Sequence, residues 1–312
     1  MKTPLFAVMA LIAFAGNSVL CRLALGIDLG ADLPTGLDAR AIDPASFTSI
    51  RLGSGALTLF LLLAFSGKLK MGGLKPVSLK SDTANDSVLD AKGSWLAALS
   101  LFLYAALFSY AYITLDTATG ALILFGSVQI TMISVGWLRG NRLSKPEVIG
   151  ICLAVLGFVY LFLPELRQPS LLGLVVMVFA GVAWGDYTLR GQASSDALST
   201  TAYNFLRTLP LVALLLVVLA IAGMTFNLSQ KGVLLAIASG AITSGIGYAI
   251  WYQALNGLTT TQAAVIQLLV PVIAAVGGVL FANEAISLRL VLAGLMVLGG
   301  VLIVIISRAK TA

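Results

Sequence analysis

The feature that most constrains this chain is a series of ten apolar runs, separated by polar or glycine-rich stretches. Most of these runs have roughly 20 residues, which is the length that an α-helix rising 1.5 Å per residue needs to cross a ~30 Å hydrocarbon core. A segment inside lipid must satisfy its own backbone hydrogen bonds, and a helix does so. The pattern therefore predicts an all-α integral membrane protein with ten transmembrane helices.

The boundaries of the predicted spans follow from the charged and polar residues between the runs. They are residues 5–25, 46–66, 95–115, 118–138, 147–163, 171–191, 200–222, 232–254, 260–281 and 289–307. The first run follows a single Lys2 and continues well past the small residues Ala13 and Ala15. We therefore expect it to be retained as a membrane span rather than cleaved as a signal peptide.

Composition excludes several other classes of protein. Of the 312 residues, 59% are hydrophobic and 10% are charged, against about 25% charged in a soluble domain. The net charge of +6 is spread over the loops, so we expect no nucleic-acid partner. The chain has no His, and Cys21 and Cys152 lie in apolar runs, so neither a metal site nor a disulfide is expected. No nucleotide-binding or hydrolase motif is present, so we expect neither an enzyme nor a cofactor.

The Lys and Arg residues of the loops predict the orientation, because cytoplasmic loops are enriched in them. With the N-terminus in the cytoplasm, twelve lie on the inner side: Lys2, Lys68, Lys70, Lys75, Lys80, Lys92, Arg139, Arg142, Lys145, Arg190, Arg308 and Lys310. Four lie on the outer side: Arg40, Arg167, Lys231 and Arg289. We therefore predict that both termini are cytoplasmic, in a bacterial inner membrane.

The two halves of the chain share a pattern of motifs in the same order. Residues 120–160 and 261–305 each form an apolar run, a polar turn ending in Leu143-Ser144 or Ile286-Ser287, and a glycine-rich run. Arg51 and Arg207 lie near the starts of spans two and seven. Five spans per half is an odd number, so the second copy would cross the membrane in the opposite sense. We predict a 5+5 inverted repeat, with residues 1–165 as the first repeat and 166–312 as the second.

At these residues the chain resembles the EamA family of the drug/metabolite transporter superfamily. The resemblance covers nearly the whole chain and is carried by the two hairpins, Pro271, the Asn283-Glu284 turn and the paired arginines. The first hairpin departs from the family pattern, with Asn141 where Glu is usual and Val128-Gln129 where Pro is common. The resemblance implies a secondary transporter that exports a small organic metabolite.

The resemblance also implies how the spans are used. Spans one, four and nine would surround a central cavity, while spans five and ten would form a scaffold or dimer-like contact away from it. The glycines of these two spans, Gly150, Gly157, Gly294, Gly299 and Gly300, provide small surfaces for close helix approach. A homodimer is therefore among the expected assemblies, with the lipid bilayer and the substrate as the other partners.

Asp186 is the acid that the pattern places inside a span, where a charge costs roughly 2.5–3.5 kcal/mol on insertion scales. One hypothesis is a carboxylate that couples transport to protons or binds a cationic group. One alternative is a structural ion pair with Arg207, which enters span seven from the same side to a similar depth. Another is that Asp186 lies near enough to the membrane interface to be solvated.

Arg22 and Arg51 lie near the outer ends of spans one and two. Their long side chains either reach the outer headgroups or form a positive mouth that attracts carboxylate or phosphate groups. Glu284, in the second hairpin turn, is expected to cap a helix or bridge to Arg289 rather than bind substrate.

Several polar and aromatic side chains fall inside the spans. Each of them either joins neighbouring helices or contacts a substrate. A buried amide needs hydrogen-bond partners, which another helix or a substrate can supply, and a deep aromatic ring can pack in the core or stack on a ligand. The predicted substrate contacts, in addition to Asp186, are Asn17, Tyr104, Gln129, Trp184, Tyr248 and Gln267.

The sequence thus favours an exporter of a small organic metabolite, an amino acid or a related amphipathic compound, that works by alternating access. Two other classes were weighed. A polytopic membrane enzyme would need a cluster of acids or His near one face, and a single acid inside the spans argues against it. A non-transporting membrane sensor or scaffold is the alternative that remains.

Overall fold

The computed structural model describes residues 2–26, 41–66, 93–138, 144–161, 170–191, 196–255, 258 and 266–311. Within them the chain forms ten helical regions in the order expected from the apolar runs. These are α1 (Lys2–Leu25), α2 (Pro44–Phe65), α3 (Trp95–Ala111), α4 (Thr117–Leu138), α5 (Lys145–Leu161), α6 (Leu171–Gly191), α7 (Ala197–Ile221), α8, α9 (Leu269–Ala282) and α10 (Leu288–Thr311). Seven of the regions are long and apolar enough to cross a membrane.

Helix α8 is built from three consecutive segments. Gln230–Ile237 is α-helical, Ala238–Ile246 is a π-helix, and Gly247–Leu255 is α-helical again. The π-helical segment has i→i+5 hydrogen bonds and a wider turn than an α-helix. Nothing in the apolar pattern predicts this segment, although the glycines within and after it lower the local preference for a regular α-helix.

Local polar residues explain where the helices begin. The side chains of Asp43, Ser94, Asp196 and Ser229 accept hydrogen bonds from backbone N–H groups in the first turns of α2, α3, α7 and α8. Each side chain satisfies a donor that the helix itself leaves without a partner. The predicted boundaries agree to within four residues, except that α9 begins at Leu269. Residues 259–265, at the predicted start of span nine, lie outside the described part.

The helices pack mainly in pairs that join the first half of the chain to the second. Helix α1 packs on α8 and α9, and α6 packs on α3 and α4. Helix α2 packs on α7 and α8, α3 packs on α7, and α4 packs on α9. Helix α5 packs on α10, with Gly150 and Gly157 against backbone or side-chain atoms of α10.

The two ends of the helical assembly can be told apart by their charged groups. At one end, which we call the Arg22 end, lie the last turn of α1, the N-terminus of α4 and the turn between α9 and α10. At the opposite end, which we call the Asp186 end, the last turns of α6 lie beside the first turns of α3. Large apolar side chains are exposed on most helices, as expected for a surface that contacts lipid.

Candidate functional site

A narrow cavity lies inside the assembly, between helices of both halves. It is lined by residues of α1, α3, α4, α6 and α8 and by the residue two positions before α9: Phe14, Asn17, Ser18, Tyr104, Phe108, Leu124, Phe125, Trp184, Thr243, Ser244, Tyr248 and Gln267. The volume open to the centres of water molecules is about 20 Å³, which is space for one or two waters. An organic ligand would therefore require the lining side chains to move.

Asn17 of α1 is the polar centre of one wall. Its side-chain oxygen accepts hydrogen bonds from the hydroxyls of Ser239 at 2.6 Å and Thr243 at 3.3 Å, both in the π-helical segment. Its side-chain nitrogen donates to the Tyr104 hydroxyl at 3.4 Å. The amide is 6% exposed, so it needs these partners, and it joins α1, α3 and α8 around the cavity.

Arg51 of α2 stands directly behind the cavity lining. It is 2% exposed, and its guanidinium donates from Nη2 to the Tyr104 hydroxyl at 3.1 Å and from Nε to the Ser244 hydroxyl at 3.4 Å. The guanidinium carbon lies 5.1 Å from the ring centre of Tyr104 and 5.0 Å from that of Phe108. Nη1 is buried and has no hydrogen-bond partner among the described residues. Arg51 therefore brings a positive charge to the cavity wall.

Close backbone packing holds Arg51 in this position. Gly55 of α2 and Gly240 of the π-helical segment lie where the two elements cross, and a Cβ at Gly240 would collide with the Arg51 carbonyl oxygen and the Ser54 side chain. A Cβ at Gly55 would meet the ring of Phe205 and the Gly240 carbonyl oxygen. The wide π-helical turn directs Thr243 and Ser244 to the cavity together.

Aromatic rings form most of the remaining wall. The ring centre of Trp184 lies 4.6 Å from Tyr104, 5.4 Å from Tyr187 and 5.4 Å from Tyr248. Phe14 meets Tyr248 edge to face at 5.8 Å. These rings give the cavity flat apolar surfaces on which an apolar or aromatic ligand group can stack.

A cluster of charged side chains lies at the Arg22 end. Glu284 accepts a hydrogen bond from Nε of Arg22 at 3.0 Å, and its two oxygens accept from the backbone N–H of Thr117 at 3.0 and 2.9 Å. Arg22 also pairs with Asp116 at 3.2 Å and donates to the backbone oxygen of Tyr112 at 3.3 Å. The carboxylate of Glu284 thus caps α4 and ties α1 to the α9–α10 turn.

Burial raises the pKa of the Glu284 carboxyl above its ordinary value of 4.5, because water is partly excluded from the charged form. The negative charge of Asp116 raises this pKa further, while hydrogen bonds from Thr117 and the charge of Arg22 act in the opposite direction. Glu284 was expected to cap a helix or to bridge to Arg289, and its carboxylate does cap α4. In the structure the bridge is to Arg22, which neither extends free to the headgroups nor stands unpaired.

The Asp186 end contains a different group of charges. Asp186 pairs with Arg190 of its own helix at 2.7 Å and accepts a hydrogen bond from the Ser100 hydroxyl at 2.5 Å. Its side chain is 40% exposed and lies outside the cavity lining. Arg207 lies with its guanidinium carbon 6.0 Å from the ring centre of Trp95.

Comparison with known proteins identifies the chain. The family model described as "EamA-like transporter family" matches residues 171–306, which span α6 to α10. An uncharacterized transporter of Archaeoglobus fulgidus is 26% identical over 96% of both chains. The uncharacterized transporter YoaV of Bacillus subtilis is 21% identical over 83% of this chain and 86% of its own length. The chain belongs to the EamA-like transporter family.

Similarity to known proteins extends over the whole chain. An uncharacterized protein of Pseudomonas aeruginosa is 45% identical over 100% of this chain and 97% of its own length. A solved crystal structure that is 17% identical superposes with a TM-score of 0.57 over 97% of this chain and 96% of that one, which shows a shared fold. The resemblance found in the sequence is therefore confirmed, and this EamA protein is a multi-pass membrane protein of a transporter family.

The structure brings together most of the predicted substrate contacts of this EamA protein. The lining residues among them are Asn17, Tyr104, Trp184, Tyr248 and Gln267. Gln129 is buried on α4 but does not line the cavity, and neither does Asp186. The role of each residue in binding stays a prediction.

Other lining residues were not singled out as contacts: Phe14, Ser18, Phe108, Leu124, Phe125, Thr243 and Ser244. Hydroxyl and apolar side chains are common inside membrane helices, so single residues of these types give no signal in the sequence. For Thr243 and Ser244, a usable signal is the Ser- and Gly-rich stretch that forms the π-helical segment.

Proposed function

We propose that this protein is a secondary transporter that exports a small organic metabolite across the bacterial inner membrane by alternating access. Family membership supports transport of a small molecule, and the cavity supports a site between the two halves of the chain. The observation that carries the proposal is that Asn17 of the first half and Ser239 and Thr243 of the second half meet in hydrogen bonds at the cavity wall. Relative movement of the halves would change these contacts.

The helix pairs support an inverted repeat made of residues 1–165 and 166–312. If each helix is matched to the helix five places later, the pairs of α1 with α8 and α9 correspond to the pairs of α6 with α3 and α4. The pair of α2 with α8 corresponds to that of α7 with α3. The pairs α2–α7, α4–α9 and α5–α10 each correspond to themselves, as helices on a pseudo-twofold axis would.

The contact between α5 and α10 supports the same symmetry at the level of residues. The offset that aligns Ser144 with Ser287 also aligns Gly157 with Gly300 and Gly150 with Ala293. A Cβ at Gly157 would approach the carbonyl oxygen of Ala293, and a Cβ at Gly300 would collide with that of Gly150. If every residue is replaced by the one that this offset matches to it, the contact of Gly157 with Ala293 becomes the contact of Gly300 with Gly150.

In this mechanism the two ends of the cavity open in turn. With both termini in the cytoplasm, the Arg22 end faces outward, and the contacts of Glu284 with Arg22 and Thr117 hold it closed. Opening toward the outside would break them, and the substrate must shift the balance between the two states by its different affinity for each. The predominance of Lys and Arg in the loops assigned to the inner side supports this orientation.

Two further elements belong to the proposal. Asp186 is the candidate proton-coupling group, since its carboxylate is 40% exposed and contacts Ser100 of α3 as well as Arg190 of its own helix, so a movement of α6 relative to α3 would change its surroundings. The outward faces of α5 and α10, which carry exposed Val, Leu and Ile side chains, are the candidate homodimer contact.

Export from intact cells tests the function. Metabolites in the medium would be compared between cells that overproduce the wild-type chain and cells that overproduce Asn17→Leu at equal membrane levels. We expect one or a few amphipathic metabolites, amino acids or related compounds, to accumulate outside only with the wild type, and less so after collapse of the proton gradient. If the metabolite content of the medium is the same in all cases, the carrier function is contradicted and a sensor or scaffold is favoured.

A further inference from the structure

The cavity wall carries a positive charge that no acid of the described residues neutralises. Arg51 is buried on all sides and makes no ion pair among those residues. None of the carboxylates that the structure describes is among the lining residues, and those nearest the two ends of α1 and α6 lie away from it, with Asp116 and Glu284 at the Arg22 end and Asp186 at the opposite end. An unpaired charge away from water is costly, so a ligand that supplies the opposite charge gains free energy by binding beside it.

Arg51 also orients two hydroxyl groups that line the cavity. The Tyr104 oxygen accepts from Arg51 Nη2 and from the Asn17 amide, so its lone pairs are in use. The Ser244 oxygen accepts from Arg51 Nε. Within the described residues neither hydroxyl hydrogen has an acceptor, and so both remain free to donate to a ligand.

From this arrangement we propose that the cavity is selective for organic monoanions, with a carboxylate bound by the Tyr104 and Ser244 hydroxyls and Arg51 behind them as its counter-charge. The flat apolar body of the ligand lies against the rings of Trp184 and Tyr248. This assignment rests on the proposed transport function and narrows its substrate class. A carboxylate has two acceptor oxygens, which match two hydroxyl donors that share one guanidinium.

The same groups disfavour cations and zwitterions. An ammonium group in the cavity needs an anionic or acceptor partner, and the Asn17 side-chain oxygen already accepts from Ser239 and Thr243. A positive ligand would also be repelled by Arg51 at short range in a medium of low dielectric constant. Amphipathic acids without an amino group therefore fit this cavity better than amino acids do.

Four ligands that share one ring and differ in charge test the proposal. They are phenylacetate, its neutral amide phenylacetamide, zwitterionic phenylalanine and cationic phenethylamine, and binding is measured by calorimetry on the full chain in lipid nanodiscs. We expect phenylacetate to bind at least tenfold more tightly than each of the other three, because a charged hydrogen-bond acceptor binds its donors about twice as strongly as a neutral one.

Variants locate the interaction. Tyr104→Phe removes only the hydroxyl and is expected to weaken phenylacetate binding by roughly tenfold or more. Ser244→Ala, which removes the second hydroxyl, is also expected to weaken phenylacetate binding. Arg51→Gln is expected to abolish the preference for the anion, and Arg51→Lys to keep part of it. Tyr112→Phe is the matched control, since Tyr112 is a buried tyrosine at the end of α3 whose hydroxyl donates to the Thr117 backbone oxygen, outside the cavity.

The outcomes separate this inference from the proposed function. Tighter binding of phenylalanine or phenethylamine would overturn the anion assignment and leave the carrier intact. Equal binding of phenylacetate and phenylacetamide would also overturn it, as would an unchanged preference for the anion in a folded Arg51→Gln protein or an unchanged phenylacetate affinity in a folded Tyr104→Phe protein. No binding of any of the four would overturn it as well, and the export assay then decides separately whether the protein is a carrier.

Discussion

Glu284 binds Arg22 at 3.0 Å although the two residues are 262 positions apart in the chain. The same carboxylate accepts hydrogen bonds from the N–H of Thr117, so one side chain of the second half caps a helix of the first half and pairs with another. Its side chain is 12% exposed, which makes the contact a partly buried one. One carboxylate therefore connects the turn between α9 and α10 to both α1 and α4.

The raised pKa of Glu284 predicts a pH dependence. The folded protein binds this proton more tightly than the unfolded chain, so the associated stability is present below pH 4.5 and is lost as the pH rises through the raised pKa. We expect the unfolding temperature of the wild type to fall over that window relative to Glu284→Gln, whose amide oxygen still accepts from Thr117. Parallel pH profiles of the two proteins would show that the charge of Glu284 does not contribute.

The contact of α5 with α10 predicts an asymmetry between neighbouring glycines. A Cβ at Gly300 would collide with the backbone oxygen of Gly150, whereas a Cβ at Gly299 would meet nothing within 4 Å. We expect Gly300→Ala to lower the free energy of unfolding by roughly 1–3 kcal/mol, as overpacking does, and Gly299→Ala to leave it unchanged or raise it. Denaturant unfolding in mixed micelles measures both, and equal effects would contradict the close approach.

The crossing of α2 and the π-helical segment predicts a second pair of variants. Gly240→Ala places a methyl group against the Arg51 backbone oxygen, so it should separate the two elements, destabilise the fold and reduce transport. Gly53→Ala on α2 is the control, because its Cβ meets nothing within 4 Å. Transport measured at equal amounts of protein should fall only for Gly240→Ala; the packing argument fails if both variants transport like the wild type.

The predicted coupling role of Asp186 can be separated from its ion pair. Asp186→Asn removes the carboxylate, and Arg190→Gln breaks the same pair while keeping the carboxylate. If Asp186 carries the proton, only Asp186→Asn should lose the dependence of transport on the proton gradient. Initial rates in proteoliposomes with and without a pH gradient give the comparison. A gradient dependence that survives in Asp186→Asn would assign coupling to another group.

The sequence predicted the elements of this protein better than the contacts between them. Ten apolar runs determine ten helical regions, because lipid leaves a spanning segment few other backbone conformations. Asn17 and Tyr104 could be found as polar atoms deep inside apolar runs. Arg51 was placed near a span end where its side chain could reach water, and only the packing of α2 on α8 shows that it is 2% exposed.

The contacts that sequence reasoning missed depend on distant residues or on small changes in backbone geometry. The pairing of Arg22 with Glu284 joins the first helix to the turn before the last one, and no local pattern encodes it. The π-helical segment has i→i+5 in place of i→i+4 hydrogen bonds, and Thr243 and Ser244 of this segment both line the cavity. Apolar periodicity does not resolve such a change.

Access to the cavity from both sides of the membrane is the central claim, and it can be measured directly. Gln267→Cys, in a chain with Cys21→Ala and Cys152→Ala, places a single thiol at the cavity, and a membrane-impermeant maleimide is added to right-side-out or inside-out vesicles. We predict labelling of this thiol from each side, slowed by a transported substrate. Labelling from one side only under every condition, with or without substrate, would contradict alternating access.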